Sequence, residues 1–239
     1  MAPPPSGDAG TSDSAVDSGT DAPTTFSCPS GTPTANELCD DFDKSTTFEK
    51  WLQVVGSPVL DADATSPPRA LAIDLAPAMN DKPAHLTRRF APGSKIHIEL
   101  DQKVTTTDTT GEVDTIAIEL IAATATQPLD RYGLAFIRNG AKWQIEQTIA
   151  NSGQQPKQIF EDVIASFEGW RHVIFQVELT GVPRARVVVE GVPAGQLDIP
   201  AVTGAQAVDI KVGVTFTKEL KSNYKVRLDN VVLKTEGSF

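Results

Sequence analysis

FEGWRHVIFQVELTGVPRARVVVEGVPAGQLDI, residues 167–199, is the stretch that decides the fold. Val173, Phe175, Val177 and Leu179 alternate with His172, Ile174, Gln176 and Glu178, the period-two pattern of a strand with one face in a core. Gly181-Val182-Pro183 interrupts the alternation, and Arg184–Glu190 forms a second strand that ends at a Gly191 turn. The two strands make a β-hairpin, which fixes a fold class but supplies no chemistry.

The same period extends outward in both directions. Lys95–Thr105 places Ile96, Ile98, Leu100 and Val104 on one face and His97, Glu99, Asp101 and Lys103 on the other. Glu112–Ala123 is apolar on both sides over its second half, as a central strand is. Tyr132–Arg138 and Lys142–Ala150 flank Asn139-Gly140, a dipeptide suited to the positive φ values of a tight hairpin turn. Ala207–Thr217 and Tyr224–Leu233 close the chain. Upstream, Asp41–Asp43, Glu49–Val55, Ala70–Leu75 and Leu86–Phe90 read as strands, with a loop through Pro77, Asn80, Asp81 and Pro83. Only Ile159–Ser166 suits a short helical turn, and Gly153-Gln154-Gln155-Pro156 reads as a mobile loop. Many strands around one implied core predict an all-β, antiparallel β-sandwich.

A chain of 239 residues can bury one large core, so a single folded domain over residues 28–239 is expected. The formal charge of −10 argues against nucleic acid and anionic membrane surfaces as partners, because such binding rests on Lys and Arg meeting phosphates. No apolar run approaches the roughly 20 residues of a membrane span. Residues 1–27 are Pro, Gly, Ser, Thr, Asp and Ala with almost nothing to bury, and are expected to be a disordered tether. They contain no basic and apolar signal-peptide pattern. Cys28 and Cys39 are read as a disulfide, with two free thiols as the alternative; closing so short a loop contributes roughly 3 kcal/mol in an oxidising compartment. His85, His97 and His172 are scattered, so the cysteines lack partners at zinc-like spacing.

Asp40-Asp41-Phe42-Asp43 followed by Phe48 and Trp51, Trp170-Arg171-His172-Val173, Val189-Glu190-Gly191 and Leu228-Asp229-Asn230-Val231 together resemble the concanavalin A-like, laminin-G-like jelly roll. The likeness covers about Cys39 to Leu233. It implies adjacent first and last strands in two sheets of six or seven strands. The family holds lectins, adhesion modules, carbohydrate-binding modules and β-glucanases, so fold alone does not choose a function. The N-terminal composition is similar to the tether after the lipidated cysteine of bacterial surface lipoproteins; an ordinary floppy terminus is the plain alternative. The expectation is a non-catalytic extracytoplasmic binding module for a glycan or a cell-surface protein. A polysaccharide-cleaving hydrolase or lyase, and a structural envelope domain, are the alternatives.

Glucanases of this fold carry two glutamates and an aspartate as E-x-D-x-E on one strand. Glu99-Leu100-Asp101-Gln102-Lys103 and Glu112-Val113-Asp114-Thr115-Ile116 each lack the third carboxylate, and Glu119 has the wrong parity relative to Asp114 unless a bulge intervenes. No catalytic residue is therefore assigned. His97, Glu99 and Asp101 form a polar row, with Arg131, Gln144, Glu146, His172 and Gln176 as candidate cross-strand neighbours. Such a face suits sugar hydroxyls, and equally suits water. Trp51, Trp143 and Trp170 lie on buried parity and read as core. Asp40, Asp41, Asp43 and Asp229 are candidate ligands of a structural Ca²⁺, which takes six to eight oxygens; capping and turn stabilisation is the alternative role.

Overall fold

A computed structural model of the chain describes residues 26, 28, 32–44, 47–121, 129–151, 157–165, 167–202 and 204–238. Of the expected tether over residues 1–27, Phe26 alone is among them, and the rest lies outside the described residues. Two antiparallel sheets face each other. Sheet A runs in the order β13 (Val192–Asp198), β12 (Arg184–Val189), β11 (Arg171–Glu178), β6 (Lys95–Thr106), β15 (Tyr224–Glu236), β4 (Ala70–Leu75), β3 (Val59–Asp61), with β1 (Glu37–Asp40) also on β15. Sheet B runs β10 (Lys157–Val163), β9 (Lys142–Asn151), β8 (Leu129–Asn139), β7 (Glu112–Ile121), β14 (Ala207–Lys218), β5 (Ala84–Phe90), β2 (Gln53–Val55). This is an all-β sandwich of concanavalin A-like jelly-roll type.

The alternating residues close the core as their parity requires. Ile96, Ile98 and Leu100 from β6 and Val173, Phe175 and Val177 from β11 are almost fully buried and meet Ile116, Ile118, Phe136 and Ile145 from sheet B. Phe136 stacks on Trp143 at 4.8 Å, and Phe167 lies 4.4 Å from the same indole. Trp51 and Trp143 are 6% exposed, in line with their buried parity, whereas Trp170 is half-buried and donates to Asp63 Oδ1 at 3.3 Å. The terminal strands are neighbours: Cys39 pairs with Val232 and Asp40 with Val231.

Strands β3 and β13 were not expected from the sequence, and three further elements depart from that expectation. Residues 157–163 are strand β10, not a helical turn, because the edge of β9 offers a complete ladder from Lys157↔Ile149 to Val163↔Trp143. A hydrogen-bonding partner that local propensity cannot see decides the matter. The first strand ends at Asp40; Phe42 turns the chain with φ 57°, while Asp40 and Asp41 accept from the backbone N–H two residues on. β7 contains a bulge at Thr115, between the pairs Asp114↔Ile137 and Ile116↔Phe136.

Candidate functional site

Residues 95–101 of β6 and 172–176 of β11 bring five of the expected site residues together on the outer face of sheet A. Register pairs His172 with Asp101 and Gln176 with His97. His172 Nδ1 lies 2.9 Å from Asp101 Oδ1 and its Nε2 lies 3.3 Å from Glu99 Oε1. Glu99 Oε2 is 3.0 Å from His97 Nε2, and His97 Nδ1 is 3.5 Å from Gln176 Nε2. Asp101, His172, Glu99 and His97 thus form one chain of alternating carboxylates and imidazoles, which ends on the Gln176 amide. The hydrogen bond to Asp101 raises the His172 pKa above its ordinary value despite partial burial. Burial works against the Asp101 carboxylate, but His172, Asn230 and Thr65 hold its pKa below the usual range.

Behind that chain stands a buried scaffold. Asn230 Nδ2 donates to Asp101 Oδ2 at 2.6 Å, and Thr65 Oγ1 bridges Asp101 and Asp229. Asn230 has φ 53° and sits in the β15 bulge between Asp229 and Val232. A left-handed non-glycine residue costs on the order of 1 kcal/mol, so the bulge re-aims this amide at a price in backbone energy.

A cavity of about 630 Å³ opens over the same face. Its centre is a cross-strand row, Arg186–Gln176–His97–Lys234–Glu37, running over β12, β11, β6, β15 and β1. Its rim includes Phe26. Cys39 has the outward parity of β1, and its disulfide to Cys28, Cα–Cα 5.6 Å, carries the neighbouring Phe26 over the sheet. Phe26, Arg186 and Lys234 were not among the expected site residues. Phe26 lay in the stretch read as tether. Arg186 was legible, since a hairpin turning at Gly181 sets Arg186 opposite Gln176.

Gln144 and Glu146, expected beside His97, stand instead on the outer face of sheet B. They belong to β9, whose neighbours are β8 and β10, so parity was right and sheet membership was wrong. Arg131 is also on β8 in sheet B, and its side chain lies outside the described residues. On this second face a groove of about 490 Å³ runs over the small residues Ala117, Gly133 and Ala135. The Thr115 bulge restores the parity of Glu119, so Asp114 and Glu119 line the same groove. Glu112, Asp114 and Glu146 bring carboxylate oxygens within 4.8 Å of one another. Burial, then the Glu146 charge, raises the Glu112 pKa.

Among the described residues that trio is the one group of potential metal ligands so close together, and it includes none of the four aspartates expected to hold Ca²⁺. Asp40 accepts from Trp51 Nε1 at 2.8 Å and from Lys50. Asp41 accepts from the Cys28 and Asp43 N–H groups, and Asp43 from Arg69 N. Asp229 accepts from Ser66 N at 2.8 Å and Ser66 Oγ. Each carboxylate serves its own donors, the capping and turn role, so the expected convergence is not found.

No protein-family model and no curated protein sequence matches the chain. Among solved structures it is similar to alginate lyase Aly36B, with TM-score 0.58 and 12% identity over 87% of this chain and 100% of that one. It is similar also to the endo-β-1,4-glucuronan lyase of the fungus Trichoderma reesei, with TM-score 0.59 and 10% identity over 79% of this chain and 92% of that one. At such identities the likeness is one of fold.

Proposed function

We propose that the protein is a non-catalytic, extracytoplasmic domain that binds a glycan chain in the cavity over sheet A. The observation that carries this reading is the pairing of an aromatic wall, Phe26, with a row of planar and charged hydrogen-bonding groups, Arg186, Gln176 and His97, in one cavity. Apolar sugar faces stack on rings while hydroxyls meet amides and guanidinium groups. The Cys28–Cys39 disulfide supports an oxidising compartment, and the acidic, low-complexity N-terminal stretch supports a surface tether. The fold it shares with lyases of alginate and glucuronan supports a carbohydrate ligand without naming it.

A glycan-array screen tests the reading. Binding is expected for the native protein, and Phe26→Ala is expected to weaken it about tenfold, the worth of one aromatic contact. Silence across the array would sink it.

A second reading, glycan cleavage on sheet B, is favoured by the trio of Glu112, Asp114 and Glu146, in which burial and the Glu146 charge raise the Glu112 pKa above its ordinary value. Retaining hydrolysis uses two carboxyl groups roughly 5–5.5 Å apart. New reducing ends released from polysaccharides, and lost in Glu112→Gln and Glu146→Gln, would move the assignment to that face.

A further inference from the structure

We propose that the saccharide taken by the sheet A cavity carries carboxylates, and that Arg186 is the residue that reads them. The inference rests on the glycan-binding reading and adds the chemical class. It starts from the cross-strand row, in which adjacent strands stand about 4.8 Å apart, so that Arg186 and Lys234 lie roughly 14 Å from each other with Gln176 and His97 between. Guanidinium, amide and ammonium groups in this row present N–H donors along its length. A chain of sugar rings laid across the strands presents its substituents to that line of donors.

Charge pairing singles out Arg186 among them. Lys234 is engaged with Glu37 at 3.0 Å, and Lys95 and Arg184 share Glu178 at 3.8 and 3.4 Å. Glu99 is held between the two imidazoles. Among the described residues the Arg186 guanidinium has no carboxylate within 4.0 Å and no hydrogen-bonding partner, although the residue is half-buried on the cavity wall. A planar guanidinium with five donors is matched in shape and charge by a carboxylate, which it grips through two parallel hydrogen bonds. Four cationic and four anionic side chains line this cavity, in a chain of formal charge −10. The sheet B groove is lined by five carboxylates against Lys211, which already pairs with Glu119 at 2.9 Å. An acidic saccharide is therefore tolerated on sheet A and repelled on sheet B.

The test is a matched pair of probes, a β-1,4-linked glucuronic acid tetrasaccharide and cellotetraose, which share linkage and ring and differ in the carboxylate at C6. Titration calorimetry of the native protein is expected to show the acidic tetrasaccharide binding at least tenfold more tightly, with the preference shrinking as salt is raised. Arg186→Ala is expected to abolish the preference and Arg186→Lys to keep part of it, both melting with the native protein. Cellotetraose binding as tightly as the acidic probe would overturn the inference and leave the glycan reading intact. An undiminished preference in Arg186→Ala would overturn the role of Arg186. If neither probe binds and the glycan array is also silent, both readings fall together; if the array shows only neutral ligands, the inference alone falls.

Discussion

Asp108 and His172 show how single residues carry much of the order in this sandwich. Asp108 is 4% exposed and accepts from the N–H groups of Thr110, Gly111, Lys221 and Ser222, which ties the β6–β7 turn to the β14–β15 turn. Burial opposes its charge, yet these backbone donors push its pKa far below the usual carboxylate range. Asp108→Ala leaves several buried N–H groups unpaired and is expected to cost about 3 kcal/mol by urea denaturation. Because its folded pKa is depressed, its contribution is full above the unfolded value of about 3.9 and is lost as pH falls through the folded value. His172 has the opposite sign: its pKa is raised by Asp101, so its contribution is full below about 6.5 and fades as pH rises through the folded value. A melting midpoint that declines as pH rises above about 6.5 in the native protein, and declines less in His172→Gln, is the expected pattern; identical alkaline limbs would remove His172 from the account. The polar row of His97, Glu99 and Asp101 was legible because parity on one strand is a local property. Its closure by Asn230 and Thr65 was not, since those residues lie 129 and 36 positions away from Asp101.

At the scale of the element, the bulges do work that alternation alone cannot. The extra residue Thr115 turns its hydroxyl to Gln102 Oε1 at 3.2 Å and to Phe136 O, inside the sandwich, and leaves Asp114 and Glu119 both outside. Opposite it, β14 carries its own irregularity between Val212 and Phe216, where Gly213 adopts φ 120°. A Cβ at Gly213 would stand 2.8 Å from Ala84 O and 2.9 Å from His85 Cα, both backbone atoms of the paired strand. Gly213→Ala is therefore expected to destabilise by more than about 2 kcal/mol, through both φ strain and displacement of β5. A melting temperature unchanged in that variant would contradict the β14–β5 geometry. Hairpins were legible wherever a turn pair such as Asn139-Gly140 stands between alternating runs. Strand β10 was not, because nothing in residues 157–163 records the edge that pairs with them.

For the whole molecule, the placement of the N-terminal segment decides what the outer face of sheet A can do. The Cys28–Cys39 bond has a sequence separation of 11 and joins the Phe26 segment to the strand that borders β15. Replacing both cysteines by serine is expected to cost about 2–3 kcal/mol of stability and, by freeing Phe26, to weaken glycan binding about as much as Phe26→Ala does. Binding by calorimetry and stability by denaturation separate the two effects: a loss of stability with affinity intact would free the site from its dependence on the disulfide. The two faces also differ in charge, which gives one sandwich two distinct exteriors, a balanced one over sheet A and an acidic one over sheet B.

The amino-acid sequence by itself determined the all-β class, the parity of the unbulged strands β6 and β11, the hairpins at Asn139-Gly140 and at Gly181–Pro183, and the cysteine pair, because each depends on residues close together in the chain. Only the tertiary structure decided that β6 lies beside β11, so that His97 joins Gln176 and Arg186 on one face, while Gln144 and Glu146 lie on the other sheet. It alone decided that Asp40, Asp41, Asp43 and Asp229 serve separate donors and that Phe26 lines a cavity. Parity says in or out for a strand taken alone; which strands are neighbours is set by the joint burial of all the apolar faces, a global condition that no local stretch contains.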